Sequence, residues 1–206
     1  MTLSDLTIKD FLEKTYSSDP VPGGGSISAL CGALAASLAE MVTGLTIGRK
    51  KYADVEEVML TYAPQMELAR RKFLEFIDED AAAYQFVFDC YKLPKETEEE
   101  QKLRHEKIQE ATLHAARVPL KVAEMAVEIM GPIFEIGSKG NRNAVTDACV
   151  AMMCARTAVL GAILNVRINL TSLDDKEKAH EIENRCMALH DEAQVREASL
   201  LDTVTF

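Results

Sequence analysis

The feature that most constrains this chain is a long stretch with almost no charge. From Ile27 to Gly48 the one charged residue is Glu40. A segment this apolar must be covered, and its length approaches that of a bilayer span. Glu40 lies inside it, and Ser28, Ser37, Thr43 and Thr46 dilute it further, so a central helix of a soluble bundle is expected rather than a membrane segment. Ahead of it stands Pro20-Val21-Pro22-Gly23-Gly24-Gly25-Ser26. The prolines stiffen the approach, the glycines free the backbone, and Ser26 offers an oxygen to cap the helix. Such a start turns backbone N–H groups and the positive end of a helix dipole toward an anionic or hydrogen-bond-accepting group. An ordinary tight turn has the same composition.

The rest of the chain carries helical signals. Thr7 with Asp10, Asp54 with Glu57, and Thr97 with Glu100 each place a capping oxygen three residues before a carboxylate. Helices are expected at about 7–17, 26–48, 54–91, 97–130, 142–170 and 174–203, with breaks at the Pro-Gly loop, at Leu93-Pro94-Lys95, at Gly131-Pro132 and at Gly137–Asn141. Pro64 and Pro119 should kink or interrupt their helices. Strand-type alternation is nowhere sustained, and no linker divides the chain. Residues 1–206 are therefore expected to form one all-α domain, a helical bundle of about six helices.

Composition narrows the function classes. The 206 residues can bury roughly 70% of their unfolded surface in one core. Lys and Arg total 23 against 33 Asp and Glu, a net charge of -10, so neither nucleic acid nor an anionic membrane is an expected partner. Arg49-Lys50-Lys51 is the one obvious basic cluster. The five cysteines are odd in number and widely spaced, without a Cys-x-x-Cys pair, which disfavours a disulfide framework and a zinc knuckle. The start, Met1 to Asp10, lacks the basic and apolar regions of a signal peptide, and a cytoplasmic location is expected. His105, His114, His180 and His190 lack ligand spacing, so no metal site is expected.

Helical phase singles out a few polar residues. Between Val55 and Tyr91, steps of roughly 100° put Met59, Met66, Phe73, Phe76, Ile77, Tyr84, Val87 and Phe88 on one face. Asp80 falls in the middle of that stripe, while Asp78 and Glu79 point away. Phe76, Ile77 and Tyr84 around Asp80 should desolvate it and raise its pKa toward the range of a general acid or base. An aspartate that caps or salt-bridges another helix end would show the same pattern. Ala29, Ala33, Ala36, Ser37, Glu40 and Gly44 share a second face of small residues, and Asp147, Ala151, Cys154, Ala158, Gly161 and Asn165 form a third. Close helix packing is implied, within a subunit or across a dimer. Glu40, Asp147 and Asn165 then need partners, catalytic or merely register-fixing.

Taken in order, several stretches resemble the cyclodeaminase/cyclohydrolase family of folate enzymes: Pro22-Gly23-Gly24-Gly25-Ser26, Thr46–Tyr52 with its Gly-Arg-Lys-Lys-Tyr, Asp78-Glu79-Asp80-Ala81 with Tyr84, Leu93-Pro94-Lys95, Val118-Pro119-Leu120, Gly140-Asn141, Asp147, and Asn165–Leu170. Thr146 and Cys149 depart from the Ser-Asp-Ala-Gly that relatives often carry around Asp147. The resemblance implies an all-helical homodimer joined through those helix faces rich in small residues, a tetrahydrofolate derivative as substrate and no cofactor. It also implies that Asp80 is the catalytic residue, assisted by Glu40 and Asp147. Gly23, Gly24, Gly25, Ser26, Arg49, Lys50, Lys51, Asn141 and Asn165 are the implied substrate contacts.

Three functions follow from it: an ammonia-releasing formiminotetrahydrofolate cyclodeaminase first, a methenyltetrahydrofolate cyclohydrolase second, and a catalytically silent folate-binding or scaffold dimer third. A straight helix would hold the glycine loop and Arg49–Lys51 about 34 Å apart, so either the two meet one ligand from different subunits of a dimer or only one of them contacts it.

Overall fold

Six α-helices make up the computed structural model, which describes residues 2–204: α1 (Ile8–Tyr16), α2 (Gly24–Thr46), α3 (Glu56–Tyr91), α4 (Glu98–Lys139), α5 (Val145–Leu170) and α6 (Lys176–Leu201). Short 3-10 turns at Leu3–Asp5, Lys50–Tyr52 and Arg142–Ala144 join them, and no strand occurs among the described residues. Helices α2, α3, α4 and α5 form the central ring, with α2 packed on α3 and α5, and α4 on the same two helices; α6 lies outside α4 and α5. The shared core runs through Ala29, Ala36, Met66, Phe73, Met130, Ile133, Met152 and Ile163.

Two of the three capping signals act as the sequence suggests: Thr7 Oγ1 accepts from the Asp10 amide, and Thr97 and Glu100 form a reciprocal box. Asp54 does not cap α3, whose N-cap is Val55 without a side-chain bond. Nor is Ser26 a cap. Helix α2 starts earlier, behind Gly23, and Ser26 is already inside its first turn. The triple glycine contributes close approach rather than unusual torsions, because the one positive φ among the described residues belongs to Gly48, at 74°.

Helix α4 runs nine residues past the expected stop at Met130, through Gly131-Pro132 and Gly137, to Lys139. Tertiary packing overrides the local break signals. Met130, Ile133 and Ile136 are fully buried, and Arg196 crosses from α6 to donate to the Val127 carbonyl at 3.1 Å, next to the Glu128 carbonyl that Pro132 leaves without its helical donor. A Cβ on Gly131 would lie 3.1 Å from that guanidinium, and one on Gly137 would lie 3.0 Å from Ala148 Cβ. Both glycines are therefore packing residues. Pro64 and Pro119 likewise sit inside unbroken helices.

Helices α2 and α5 are long and apolar enough to cross a bilayer, and half of each is buried in the bundle. Their other halves expose Leu34, Met41 and Leu45 on α2, and Val150, Met153, Leu164 and Ile168 on α5. The alanines of the small-residue faces, expected to serve a dimer, pack inside the subunit, with Ala29, Ala33, Ala36, Ala151 and Ala158 buried, whereas Gly44 is exposed.

Candidate functional site

The α3 stripe leaves the core at Asp80. Phe73, Phe76 and Ile77 are buried, whereas Tyr84, Phe88 and Tyr91 are 43–52% exposed, because beyond Asp80 the helix pairs mainly with α4 in an arm held by Ala83, Ala115, Val118, Cys90, Ile108 and Ala111. At that point of departure a cleft of about 370 Å³ opens. Pro20, Val21 and Gly23–Gly25 form one wall, Asp80, Tyr84 and Val87 a second, and Ala115 with Asn165, Ile168 and Asn169 the rest. Four segments thus converge, and each arrives there by its own packing.

The glycines set the closeness of that convergence. A Cβ built on Gly25 would lie 2.0 Å from Asp80 Oδ1, and one on Gly24 would lie 2.9 Å from Asn165 Nδ2. Only hydrogen fits at either position without moving a polar group of the cleft. Asp80 therefore rests against the first turn of α2, and Ser26 Oγ donates to its Oδ2 at 2.9 Å. Burial pushes the Asp80 carboxyl above its ordinary value, and the hydroxyl and amide of Ser26 oppose that rise without cancelling it. Asp80 thus accepts from a side chain in the first turn of a neighbouring helix and faces a cleft.

Asn165 shares the cleft. Its Nδ2 donates to the Gly161 carbonyl at 2.8 Å, and four residues on, Asn169 Nδ2 donates to the Asn165 carbonyl at 2.8 Å and the Ala115 carbonyl at 3.3 Å. Those bonds fix both amides while leaving their carbonyl oxygens for other partners. Tyr84 supplies an aromatic wall. Among the described residues no three of His, Cys, Asp and Glu come together in a way that could hold a metal ion.

Other candidates are placed elsewhere. Glu40 lies about three quarters of the way along α2, about 22 Å from Gly25 at 1.5 Å per residue, and accepts from Arg70 Nε at 2.9 Å. It is an interhelix ion pair, half-buried, and does not line the cleft. Asn141 joins the opposite pole: its amide donates to Thr46 Oγ1 at 2.9 Å, its Nδ2 to the Leu45 carbonyl at 3.0 Å, and its Oδ1 accepts from the Asn143 amide at 3.0 Å. Asp147 is in the first turn of α5, at that same pole. Arg49, Lys50 and Lys51 are exposed there, past the end of α2 and about 33 Å along its axis from Gly24. Asp78, which points away from the stripe, is no free surface charge: its carboxylate accepts from the Leu3 amide and Ser4 Oγ, each at 2.6 Å.

Pro20 and Val21 belong to the stretch expected to face a ligand, whereas Asn169, Ile168 and Ala115 line the cleft without being expected site residues. The available signal was spacing, since Asn169 follows Asn165 by one helical turn and Tyr84 follows Asp80 by one. Ala115 gave none, because an alanine on a long helix becomes a cleft wall only through the α3–α4 pairing.

Residues 7–188 match the family described as Formiminotransferase-cyclodeaminase. A methenyltetrahydrofolate cyclohydrolase of Methylorubrum extorquens is 38% identical over 198 residues, covering 96% of this chain and 95% of that protein. The formimidoyltransferase-cyclodeaminase of Mus musculus is 34% identical over 98% of this chain, which spans 38% of the length of the mouse protein. The crystal structure of a formiminotetrahydrofolate cyclodeaminase from Thermotoga maritima superposes with a TM-score of 0.82 at 28% identity, covering 97% of this chain and 98% of its own.

Proposed function

This chain belongs to the Formiminotransferase-cyclodeaminase family, and we propose on that footing that it is a folate enzyme which closes 5-formimino-tetrahydrofolate to 5,10-methenyl-tetrahydrofolate with release of ammonia. The observation that carries this reading is Asp80, a carboxyl desolvated enough to hold a proton above its ordinary range and still open to a cleft. In the proposed reaction N10 attacks the amidine carbon, giving a tetrahedral intermediate. The amidine enters protonated, so after attack its nitrogen is an NH2 group; Asp80 delivers one proton to it, the carbon–nitrogen bond breaks to release NH3, and the proton lost by N10 returns to the Asp80 carboxylate. Tyr84 and Ile168 would flank the pterin, with the amide oxygens of Asn165 and Asn169 accepting from its N–H groups.

The same carboxyl serves the second reading, in which water attacks the methenyl carbon and the ring opens to 10-formyl-tetrahydrofolate, Asp80 taking the proton from water. What favours it is the 38% identity to a cyclohydrolase of nearly the same length. A homodimer is part of the proposal. The substrate's anionic tail calls for cations, and Arg49–Lys51 reach a cleft only from a second copy laid against the exposed apolar halves of α2 and α5.

The test follows methenyl absorbance with each substrate separately. Absorbance that rises with 5-formimino-tetrahydrofolate supports the deaminase; accelerated loss with 5,10-methenyl-tetrahydrofolate supports the hydrolase. No change in either mixture, with folded protein, would overturn both in favour of a scaffold.

A further inference from the structure

Ser26 is fully buried, so in this structure it meets no ligand directly. Its single hydroxyl proton faces two acceptors, Asp80 Oδ2 at 2.9 Å and the Ile77 carbonyl at 3.1 Å. Ile77 is one turn before Asp80 on the same helix, so both acceptors are presented by α3 while the donor comes from α2. Resting on the proposed role of Asp80, we propose that Ser26 is a positioning residue for that carboxyl, a two-way donor that turns to Oδ2 when Asp80 is charged and to the Ile77 carbonyl when Asp80 is protonated. This replaces the substrate contact implied for Ser26 by the resemblance.

The geometry supports the switch in each state. When Asp80 is ionised, the hydroxyl donates to Oδ2 and the Ile77 carbonyl keeps whatever helical bond it has. When Asp80 is protonated on Oδ2, that O–H donates to Ser26 Oγ and the serine proton turns to Ile77, so no buried polar atom of the pair loses its partner in either state. A carboxyl rotating freely in the cleft would lose orientation on each proton transfer; this one stays pinned to the first turn of α2. Gly25 makes the pin possible, since any side chain there would occupy the space of Asp80 Oδ1.

No basic group competes for the role among the described residues. Facing Asp80 are Ser26 from α2, Ala115 from α4, Asn165 and Asn169 from α5, and Tyr84 from its own helix. Tyr84 is the one other titratable group of the cleft. Of the acidic neighbours in sequence, Asp78 is tied to Leu3 and Ser4, and Glu79 to Lys72 at 3.2 Å. Arg167, beside Ile168, forms a two-oxygen pair with Glu183 on α6. The hydroxyl of Ser26 is thus the side-chain donor that decides between the two states of Asp80.

The test is the pH dependence of kcat/KM for wild type, Ser26→Ala and Ser26→Thr on whichever folate substrate the enzyme turns over. Removing the hydroxyl withdraws a donor that favours the charged carboxyl, so the limb governed by Asp80 is expected to move to higher pH in Ser26→Ala, with kcat falling about tenfold and KM little changed. Ser26→Thr keeps the donor and is expected to restore the wild-type limb, whatever its added methyl does to stability. A purely structural serine would lower the melting temperature and leave the limb where it was, and that result would overturn the proposal. If Ser26→Ala does not fold, Ser26→Cys, close in size but a much weaker donor, is read in its place: a limb moved to higher pH supports the switch and an unmoved one contradicts it. Asp80→Asn separates this from the larger reading. If Asp80→Asn is inactive and the Ser26→Ala limb is unmoved, Ser26 fails and Asp80 stands; if Asp80→Asn is fully active, Asp80 fails regardless of Ser26.

Discussion

The two ends of helix α2 are built from similar materials to opposite ends. At its amino terminus Gly24 and Gly25 bring Asp80 and Asn165 within van der Waals reach of the backbone, and the polar groups there keep unused hydrogen-bonding capacity facing a cleft. At its carboxyl terminus Thr46, Asn141 and Tyr52 are bound to one another and to backbone: Thr46 Oγ1 accepts from Asn141, Asn141 Nδ2 donates to Leu45, and Tyr52 OH accepts from the Arg142 amide at 3.1 Å. Polar groups whose bonds are complete hold the fold. Those left half-bonded beside a cavity are available to a substrate. Both poles lie within the residues matched by the family, so the match alone does not distinguish them, and the hydrogen-bond pattern is the ground on which the cleft is proposed.

The largest expected effect lies at the cleft. Asp80→Asn should lower turnover by 10²–10⁴-fold, the usual range for a general acid or base, with helicity retained by circular dichroism. Stability should move the other way. The carboxyl is held above its ordinary value, so its charge costs stability as pH rises from the ordinary carboxylate range through the raised value, and the cost is fully present only above that raised value. The variant should melt at or above the wild-type temperature at pH 7, an advantage that disappears on acidification below the ordinary range. Equal melting curves at every pH would show that Asp80 is not desolvated.

Next comes Gly25→Ala. In a helix with space around it, this change gains about 0.5–1 kcal/mol. Here the new Cβ would meet Asp80 Oδ1 at 2.0 Å, so either the carboxyl or the helix start has to shift. Turnover is expected to fall by about 10²-fold, since a displacement near 1 Å in a catalytic group has that effect. Steady-state kinetics with unchanged kcat would mean that the close approach has no catalytic purpose.

The smallest catalytic effect belongs to the opposite pole. Asn141→Ala removes bonds to Leu45 and Asn143 and should lower stability by about 1–3 kcal/mol, seen as a melting temperature reduced by several degrees. kcat per folded molecule should stay within twofold. A loss of kcat without a loss of stability would move the functional centre from one pole toward the other.

Much of this was legible in the sequence, and the reasons are local. Periodicity places Asp80 in an apolar stripe because three turns of α3 on either side repeat the same face, and the Thr97–Glu100 box marks the start of α4 because its chemistry is complete within four residues. The end of α4 was not legible. Gly131, Pro132 and Gly137 read as breaks, and only their contacts with α5 and α6 show why the helix continues. The same limit applies to Glu40, whose partner Arg70 is on another helix, and to Asn141, whose partners beyond Asn143 are 89–96 residues away. A single sequence indicates which polar residues need partners. It does not indicate whether the partner is another helix or a ligand.

The contrast between the poles is tested most directly by amide shift mapping, in which inactive Asp80→Asn protein is titrated with 5,10-methenyl-tetrahydrofolate. The cleft predicts saturable shifts at Gly23, Gly24, Gly25, Asn165 and Asn169. Shifts confined to Thr46, Asn141 and Arg142, with the glycine loop and α5 terminus unmoved, would contradict it.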